Sequence, residues 1–562
     1  MSDRSRNEFI KEESRYLRGT IADGLRDHVT GAIAEDDTQL TKFHGIYQQD
    51  DRDLRGERAK KKLEKAFSFM ARVRVPAGVL TAAQWIGLHD IAAERGNGTL
   101  RLTTRQTIQL HGLIKSNLRP AIQGIHAALL DTIAACGDVN RNVIASVVPQ
   151  HPAIHTEITA LARAISEHLL PRSRAWHEIF VDGEQVVGGE TEDEPILGRT
   201  YLPRKFKIAI AVPPQNDTDV FAHDIGLIAI VAQGKVVGYN VVAGGGMGMT
   251  HGEPDTFPRT GDVLGFSTPD QVVEVCEKIV TIQRDWGDRS DRKHARLKYT
   301  IERVGLERFA AELQARLGIS LAPARPYQFA RTGDPSGWIE SADGQAHHFL
   351  FIENGRVLGT MLDGLRAIAE RHDGRFILTA NQNLVIADVA SAQRPVLESL
   401  LQQFNLSSPG ALRRNAMACV ALPTCGLALA ESERYLPQLI DALEREAAQY
   451  GLGNDEIIIR MTGCPNGCAR PYLAEIGLVG TGPGRYNLYL GGAFEGTRLS
   501  KLYRQDVGHA DMVASLKLLF AAYAGQRRQG ERFGDFVIRT GVVRATTAGH
   551  RFHADVASAP GV

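Results

Sequence analysis

Two hydrophobic periods take turns along this chain. Alternation over residues 70–75 predicts a strand, and an apolar stripe at helical spacing over 85–95 predicts a helix after it. Alternation resumes over 99–111, where the polar face holds Arg101, Arg105, Gln109 and His111. One continuous strand would aim Arg101, Arg105 and Gln109 to the same side. Helices are predicted over 122–135, 154–169, 269–286 and 306–317, and strands over 201–212 and from 239 into the glycine run at 244–246. Strand parity turns Lys205 and Lys207 the same way, as it does Arg72 and Arg74, so direction alone does not choose between the two arginines. The first 60 or so residues are charge-rich without such a period and read as an irregular arm.

After Pro323 the pattern returns. Thr103, Arg105 and Gln106 line up with Thr379, Asn381 and Gln382. Arg141, Asn142 and Ser146 line up with Arg414, Asn415 and Cys419, and Tyr239, Asn240 and Gly244 with Tyr486, Asn487 and Gly491. The offsets are 276, 273 and 247, in the same order along the chain. Matched order and near-equal offsets indicate an internal duplication. The breaks divide the chain at 1–60, 61–150, 151–325, 326–410 and 411–562, an α+β arrangement of two similar halves behind an arm.

Composition narrows the class. The 562 residues are 43% hydrophobic and 23% charged, as in a soluble protein of several globular domains. Lys+Arg and Asp+Glu are both 65, so net charge gives nucleic acid or membrane no purchase, and any basic site is local. No apolar run approaches the roughly 18 residues a membrane span needs. The polar N-terminus reads as no export signal, so a cytoplasmic location is expected. Neither Gly244–Gly248 nor Gly480–Gly484 completes a dinucleotide-binding Gly-x-Gly-x-x-Gly, so electrons are expected from a separate protein.

Six cysteines are too few for a disulfide scaffold. Cys136 and Cys276 stand alone and read as buried structural thiols. The other four form two pairs, Cys419-x5-Cys425 and Thr-Gly-Cys464-Pro-Asn-Gly-Cys468, with 38 residues between Cys425 and Cys464. Four thiolates on two loops suit a cubane iron–sulfur cluster. Gly463, Pro465 and Gly467 let the second loop curl and turn backbone N–H groups toward sulfur. A structural zinc site is the alternative from another class; the x3 pair would serve it and the x5 pair would not. Only the second half carries these cysteines, so it would ligate the metal while the first supplies an opposing basic wall.

The two cysteine loops resemble those of the sirohaem-dependent sulfite and nitrite reductases. Within that family the chain looks like the haemoprotein (beta) subunits of bacterial assimilatory sulfite reductases, from about Glu13 to Val542. The resemblance implies a split ferredoxin-like domain, with halves at 61–150 and 326–410. It implies two larger α/β domains at 151–325 and 411–562 that bind sirohaem and a [4Fe–4S] cluster. Cys419, Cys425, Cys464 and Cys468 would hold the cluster, with Cys468 also bridging to the sirohaem iron.

The resemblance also assigns the cations. Arg72, Arg141, Lys205 and Lys207 would face the substrate oxyanion, whereas Arg74 reads as an ordinary surface cation. Arg101, Arg105, Gln109, Arg204, Arg296 and Asn466 would hold the carboxylate-rich sirohaem. Arg296 departs from close relatives, which carry lysine there, with charge kept. Lys207 stands where nitrite-reducing relatives usually have asparagine, which favours sulfite. The expected activity is six-electron reduction of sulfite to sulfide for cysteine biosynthesis, with electrons from an NADPH-dependent flavoprotein. The alternatives are a ferredoxin donor and reduction of nitrite to ammonia.

Overall fold

Four five-stranded sheets organise the computed structural model, which describes residues 4–172, 179–181, 184–187, 194–546 and 548–554. They form two matched pairs. Sheet one runs, in spatial order, Ile46–Asp50, Phe67–Val73, Ile108–Leu113, Leu100–Leu102, Arg356–Val357. Sheet three repeats that order with Gly337–Glu340, Ala346–Leu350, Leu384–Val389, Arg375–Leu378, Val79–Thr81. Each therefore takes its last strand from the opposite half: Arg356 pairs with Arg101, and Leu80 with Phe376. One apolar core runs through both sheets, from Phe69, Trp85 and Leu110 to Leu365, Phe376 and Ile386.

Sheets two and four match equally well. Sheet two runs Ile144–Ala145, Ile208–Ala211, Ile225–Ala232, Lys235–Ala243, Asp262–Ser267, and sheet four runs Ala416–Ala418, Ile459–Thr462, Ile476–Gly482, Arg485–Leu490, Lys501–Val507. In both, the first three strands are parallel and the last two antiparallel. The register fixes the equivalences residue by residue. Ile208 pairs with Ile225 as Ile459 pairs with Ile476. The Ser146 N–H donates to Ile210 O at 2.9 Å, and the Cys419 N–H donates to Met461 O at 3.2 Å. The duplication read from three short stretches thus extends to the strand register of both halves.

Several elements differ from the sequence expectation. The 99–111 stretch is a hairpin, not one strand: the chain turns at Thr103–Thr107, closed by Thr103 N–H to Thr107 O at 3.0 Å. Gln106 makes the turn in the left-handed region (φ 49°), as Gln382 does in the other half (φ 70°). The 122–135 helix lies earlier, at Lys115–Ala127, and stops before Leu129 enters left-handed backbone (φ 56°). The 201–212 strand shrinks to Ile208–Ala211, because Tyr201 is left-handed (φ 58°) and Pro203 has no N–H to give a ladder. The arm is more regular than its composition suggests. It holds the helix Arg6–Glu13 and, at Ile46–Asp50, the edge strand of sheet one.

Candidate active site

Sheet one sets out a lateral row. Arg72 pairs in register with Gln109, and Gln109 with Arg101, so the three lie side by side on neighbouring strands. Arg74 leaves the site: its guanidinium grips Asp131 at 2.6 and 3.0 Å and reaches Ser166 at 3.0 Å. Arg72 instead keeps a buried Nε without a hydrogen-bond partner. Ion pairing thus separates two arginines that strand parity could not.

A narrow cavity lies where the halves meet. Its walls include Thr104, Arg105, Lys205, Lys207, His223, Arg296, Asn466, Cys468 and Arg470. Arg105 sits in the hairpin turn, not on a strand, and donates to Ile208 O at 2.9 Å and to Asn142 O, while its buried Nε stays unpartnered. His223 donates from Nε2 to Thr218 O at 2.8 Å and offers Nδ1 to Arg105 Nη1 at 3.3 Å. Burial pushes this imidazole well below its ordinary pKa, so it stays neutral. Arg296 is held by buried Asp224 at 2.8 and 3.1 Å. Lys205 and Lys207 converge here although their segment is irregular. Burial first, and then neighbouring cations, push both ammonium groups well below the ordinary lysine range.

The remaining predicted cations do not line this cavity. Arg141 interacts electrostatically with Lys205, Lys207, Arg105 and Arg204, and with the Tyr47 phenol. Arg204 also acts on Lys205. Arg101 is bound to Glu433 at 2.7 Å and to Ala418 O at 2.9 Å, and Arg356 completes the clamp at 2.6 Å from Glu433. A second, wider cavity of about 860 Å³ opens beside that clamp, between His111, Arg356 and the loop at Leu422–Thr424. Its walls carry neither a lysine nor a cysteine.

The four cysteines come together from two loops as free thiols, and all act on one another electrostatically. Gly463 allows the approach: a Cβ there would stand 2.5 Å from Ala421 Cβ and Ala430 O. Its N–H points at Cys419 Sγ, 3.4 Å away. Burial, then the neighbouring Cys468, pushes the Cys464 thiol up to about 12 and Cys419 higher still, so negative charge is stable here when a cationic core shares it. Among the described residues, no three Cys, His, Asp or Glu side chains converge closely enough to share one metal ion. Four sulfurs spread this way fit a larger inorganic core better than a single zinc. The unpartnered Nε of Arg105, a residue of the cavity wall, fits a carboxylate-bearing group or an oxyanion there.

Sequence reasoning missed His223, Asp224, Glu433 and Arg356, which orient the predicted cations, and Lys298. Buried Lys298 donates to Gly248 O at 2.7 Å and to Phe257 O, fixing the glycine run beside the cysteine loop. That run meets the loop directly, with Met249 N–H donating to Pro465 O at 2.9 Å.

Comparisons with known proteins bear on the family and the fold. A family model described as the nitrite and sulphite reductase 4Fe-4S domain matches residues 161–321, in the half without the cysteine pairs. One described as the nitrite/sulfite reductase ferredoxin-like half domain matches 61–128 and 339–404. A sulfite reductase [NADPH] hemoprotein beta-component from Methylobacterium sp. (strain 4-46) is 58% identical over 557 residues, covering 98% of this chain and 92% of its own. The one from Chromohalobacter salexigens is 55% identical, with 98% and 97% covered. Among solved structures, Mycobacterium tuberculosis NirA superposes with a TM-score of 0.79 at 26% identity, over 96% of this chain and 97% of that one.

Proposed function

The chain belongs to the nitrite and sulfite reductase family, and from that premise we propose that it is the haemoprotein component of an NADPH-dependent sulfite reductase. It reduces sulfite to sulfide, taking up six electrons and six protons and releasing three waters, and the sulfide feeds cysteine synthesis. One observation carries the reading: the Cys468 thiol opens into a cavity whose other walls bear Arg105, Lys205, Lys207 and Arg296.

Cys419, Cys425, Cys464 and Cys468 would hold the [4Fe–4S] cluster, and Cys468 would also bind the sirohaem. When bound, sirohaem and cluster supply an open iron for the anion and a store for incoming electrons. Arg101, Arg105, Gln109, Arg204, Arg296 and Asn466 hold the sirohaem carboxylates. Arg72 and Arg141 bind sulfite oxygens by charge-assisted hydrogen bonds. Lys205 and Lys207 neutralise the anion and hold protons at Nζ. Their lowered pKa values make those protons easier to give to a departing oxygen than an ordinary lysine's.

Electrons come from an NADPH-oxidising flavoprotein subunit in the cytoplasm. Among the described residues no helix is long and apolar enough to cross a membrane. The family description, which names nitrite beside sulphite, keeps a second reading, a sulfite or nitrite reductase fed by ferredoxin. The test is purified, matured protein assayed for iron, acid-labile sulfide and haem absorbance, then for turnover of each anion with each donor. A colourless protein containing zinc overturns the function. Faster turnover of nitrite with ferredoxin transfers it to the second reading.

A further inference from the structure

Asp219 and Arg470 are counterparts under the duplication, and they are bonded to each other. Both take left-handed backbone (φ 49° and 56°), and each opens a short 3-10 turn, Val220–Ala222 and Pro471–Leu473. Asp219 N–H donates to Asn216 O, and Arg470 N–H to Gly467 O, each at 2.9 Å. Arg470 Nε donates to Asp219 Oδ2, Nη2 to Ala380 O at 2.8 Å and Nη1 to Thr104 O at 3.3 Å. Thr104 and Ala380 are themselves counterparts, one step past Thr103 and Thr379. The guanidinium therefore straddles the pseudo-twofold axis and touches both hairpin turns.

A second guanidinium, Arg460, donates to Asp219 at 2.6 Å, and none of the three side chains is more than 5% exposed. The same charged residue at both counterpart positions would set like charges against each other on the axis. Opposite signs make the axis a bond instead. Two residues before Arg470 stands Cys468, whose carbonyl accepts from Thr104 Oγ1 at 3.1 Å.

We propose that Asp219 is a positioning residue for Cys468, fixing this thiol of the second half against the cations of the first. The inference rests on the reading of Cys468 as the bridging ligand. Cys468 and Arg470 belong to the loop after sheet four's second strand, whereas Arg105, Lys205 and Lys207 belong to the first half. Their separation depends on what ties the halves together there: Met249 N–H to Pro465 O holds the start of the cysteine loop, and Asp219 with Thr104 holds its end, at Cys468 and Arg470. Asp219 also gives Arg470 a carboxylate partner, shared with Arg460. Cys468 lines the same cavity as Arg470; with Asp219 neutralised, a metal-bound Cys468 sulfur would feel this uncompensated cation, and the attraction would draw its charge from iron.

The test compares holoprotein of wild type, Asp219→Asn, Asp219→Glu and Arg470→Lys. Iron, sulfide and haem contents are measured first. Mössbauer and EPR spectra then report exchange coupling between haem and cluster, and a redox titration reports the cluster potential. Asp219→Asn is expected to keep its cofactors, to lose coupling in most molecules and to shift the cluster to a more positive potential. Asp219→Glu is expected to restore both toward wild type. Loaded Asp219→Asn with wild-type coupling and potential overturns the proposal. If that variant does not assemble, Arg470→Lys decides: it keeps the charge but cannot span the three acceptors, so lost coupling supports the proposal and wild-type coupling overturns it. Wild-type protein without iron and sulfide would instead sink the cluster reading itself, before any variant is made.

Discussion

Ser146 Oγ donates a 2.5 Å hydrogen bond to Asp217 Oδ1, and these residues occupy in the first half the places of Cys419 and Cys468 in the second. Pro213 stands in the same way for Cys464. Asp217 Oδ2 also accepts from Val147 N–H at 2.8 Å. The first half has closed its copy of the cysteine site with a polar contact, so one inorganic core serves both halves.

That contact should be visible in the pH dependence of stability. Burial raises the Asp217 carboxyl to about 6, against 3.8 ordinarily, although Ser146 and Val147 pull the other way. Between those values the folded chain holds a proton the unfolded chain has lost, so this group's stabilising contribution falls as pH rises through that window. Asp217→Asn removes the linkage. Calorimetry should show the variant gaining on wild type from pH 4 to 6 by on the order of 2 kcal/mol. Parallel curves would refute the assignment.

Cys468→Ser should leave a folded chain with most of its cluster iron but no exchange coupling to haem. Sulfite turnover should drop by at least about 10²-fold, the upper end for losing even an indirect metal contact. Magnetic spectroscopy with a turnover assay checks this, and intact coupling would remove Cys468 from the bridging role.

Lys207→Asn should cost sulfite more than nitrite. A proton donor of this kind contributes about 10²-fold or more, so sulfite turnover should fall by that factor while nitrite turnover falls less. Equal losses on both anions would show that Lys207 does not discriminate.

Glu433→Gln leaves Arg101 and Arg356 facing each other without a carboxylate. Breaking one partner of such a mostly buried pair costs about 3 kcal/mol, which should lower the melting temperature and loosen haem retention. A thermal melt and a haem-retention assay against a competing apoprotein read the two effects. Unchanged values would mean that the clamp is idle.

How much was legible in the sequence followed from how local each signal was. The cysteine loops and the repeated stretches are short and contiguous, so both could be found by reading along the chain. The hairpin at Thr103–Thr107 was hidden because its left-handed residue is Gln106, not the glycine or asparagine that usually announces such a turn. Arg101 and Gln109 still share a face, through cross-strand pairing. The shortened strand at Ile208–Ala211 did leave a trace in Pro203. Asp219, Glu433 and Asp224 left none, because their partners Arg470, Arg101 and Arg296 lie far along the chain and only folding brings them together.

The exchange of edge strands between sheets one and three bears on how the protein is made. On the ribosome, Val79–Thr81 emerges long before Arg375–Leu378 exists to receive it, and sheet one keeps an open edge until Arg356–Val357 arrives. Neither sheet can close in the order of synthesis, and each nascent edge is a template for wrong pairing. Cofactor insertion and final closure thus become late events that involve the whole polypeptide, and a chain cut anywhere between these strands would carry two unfinished sheets.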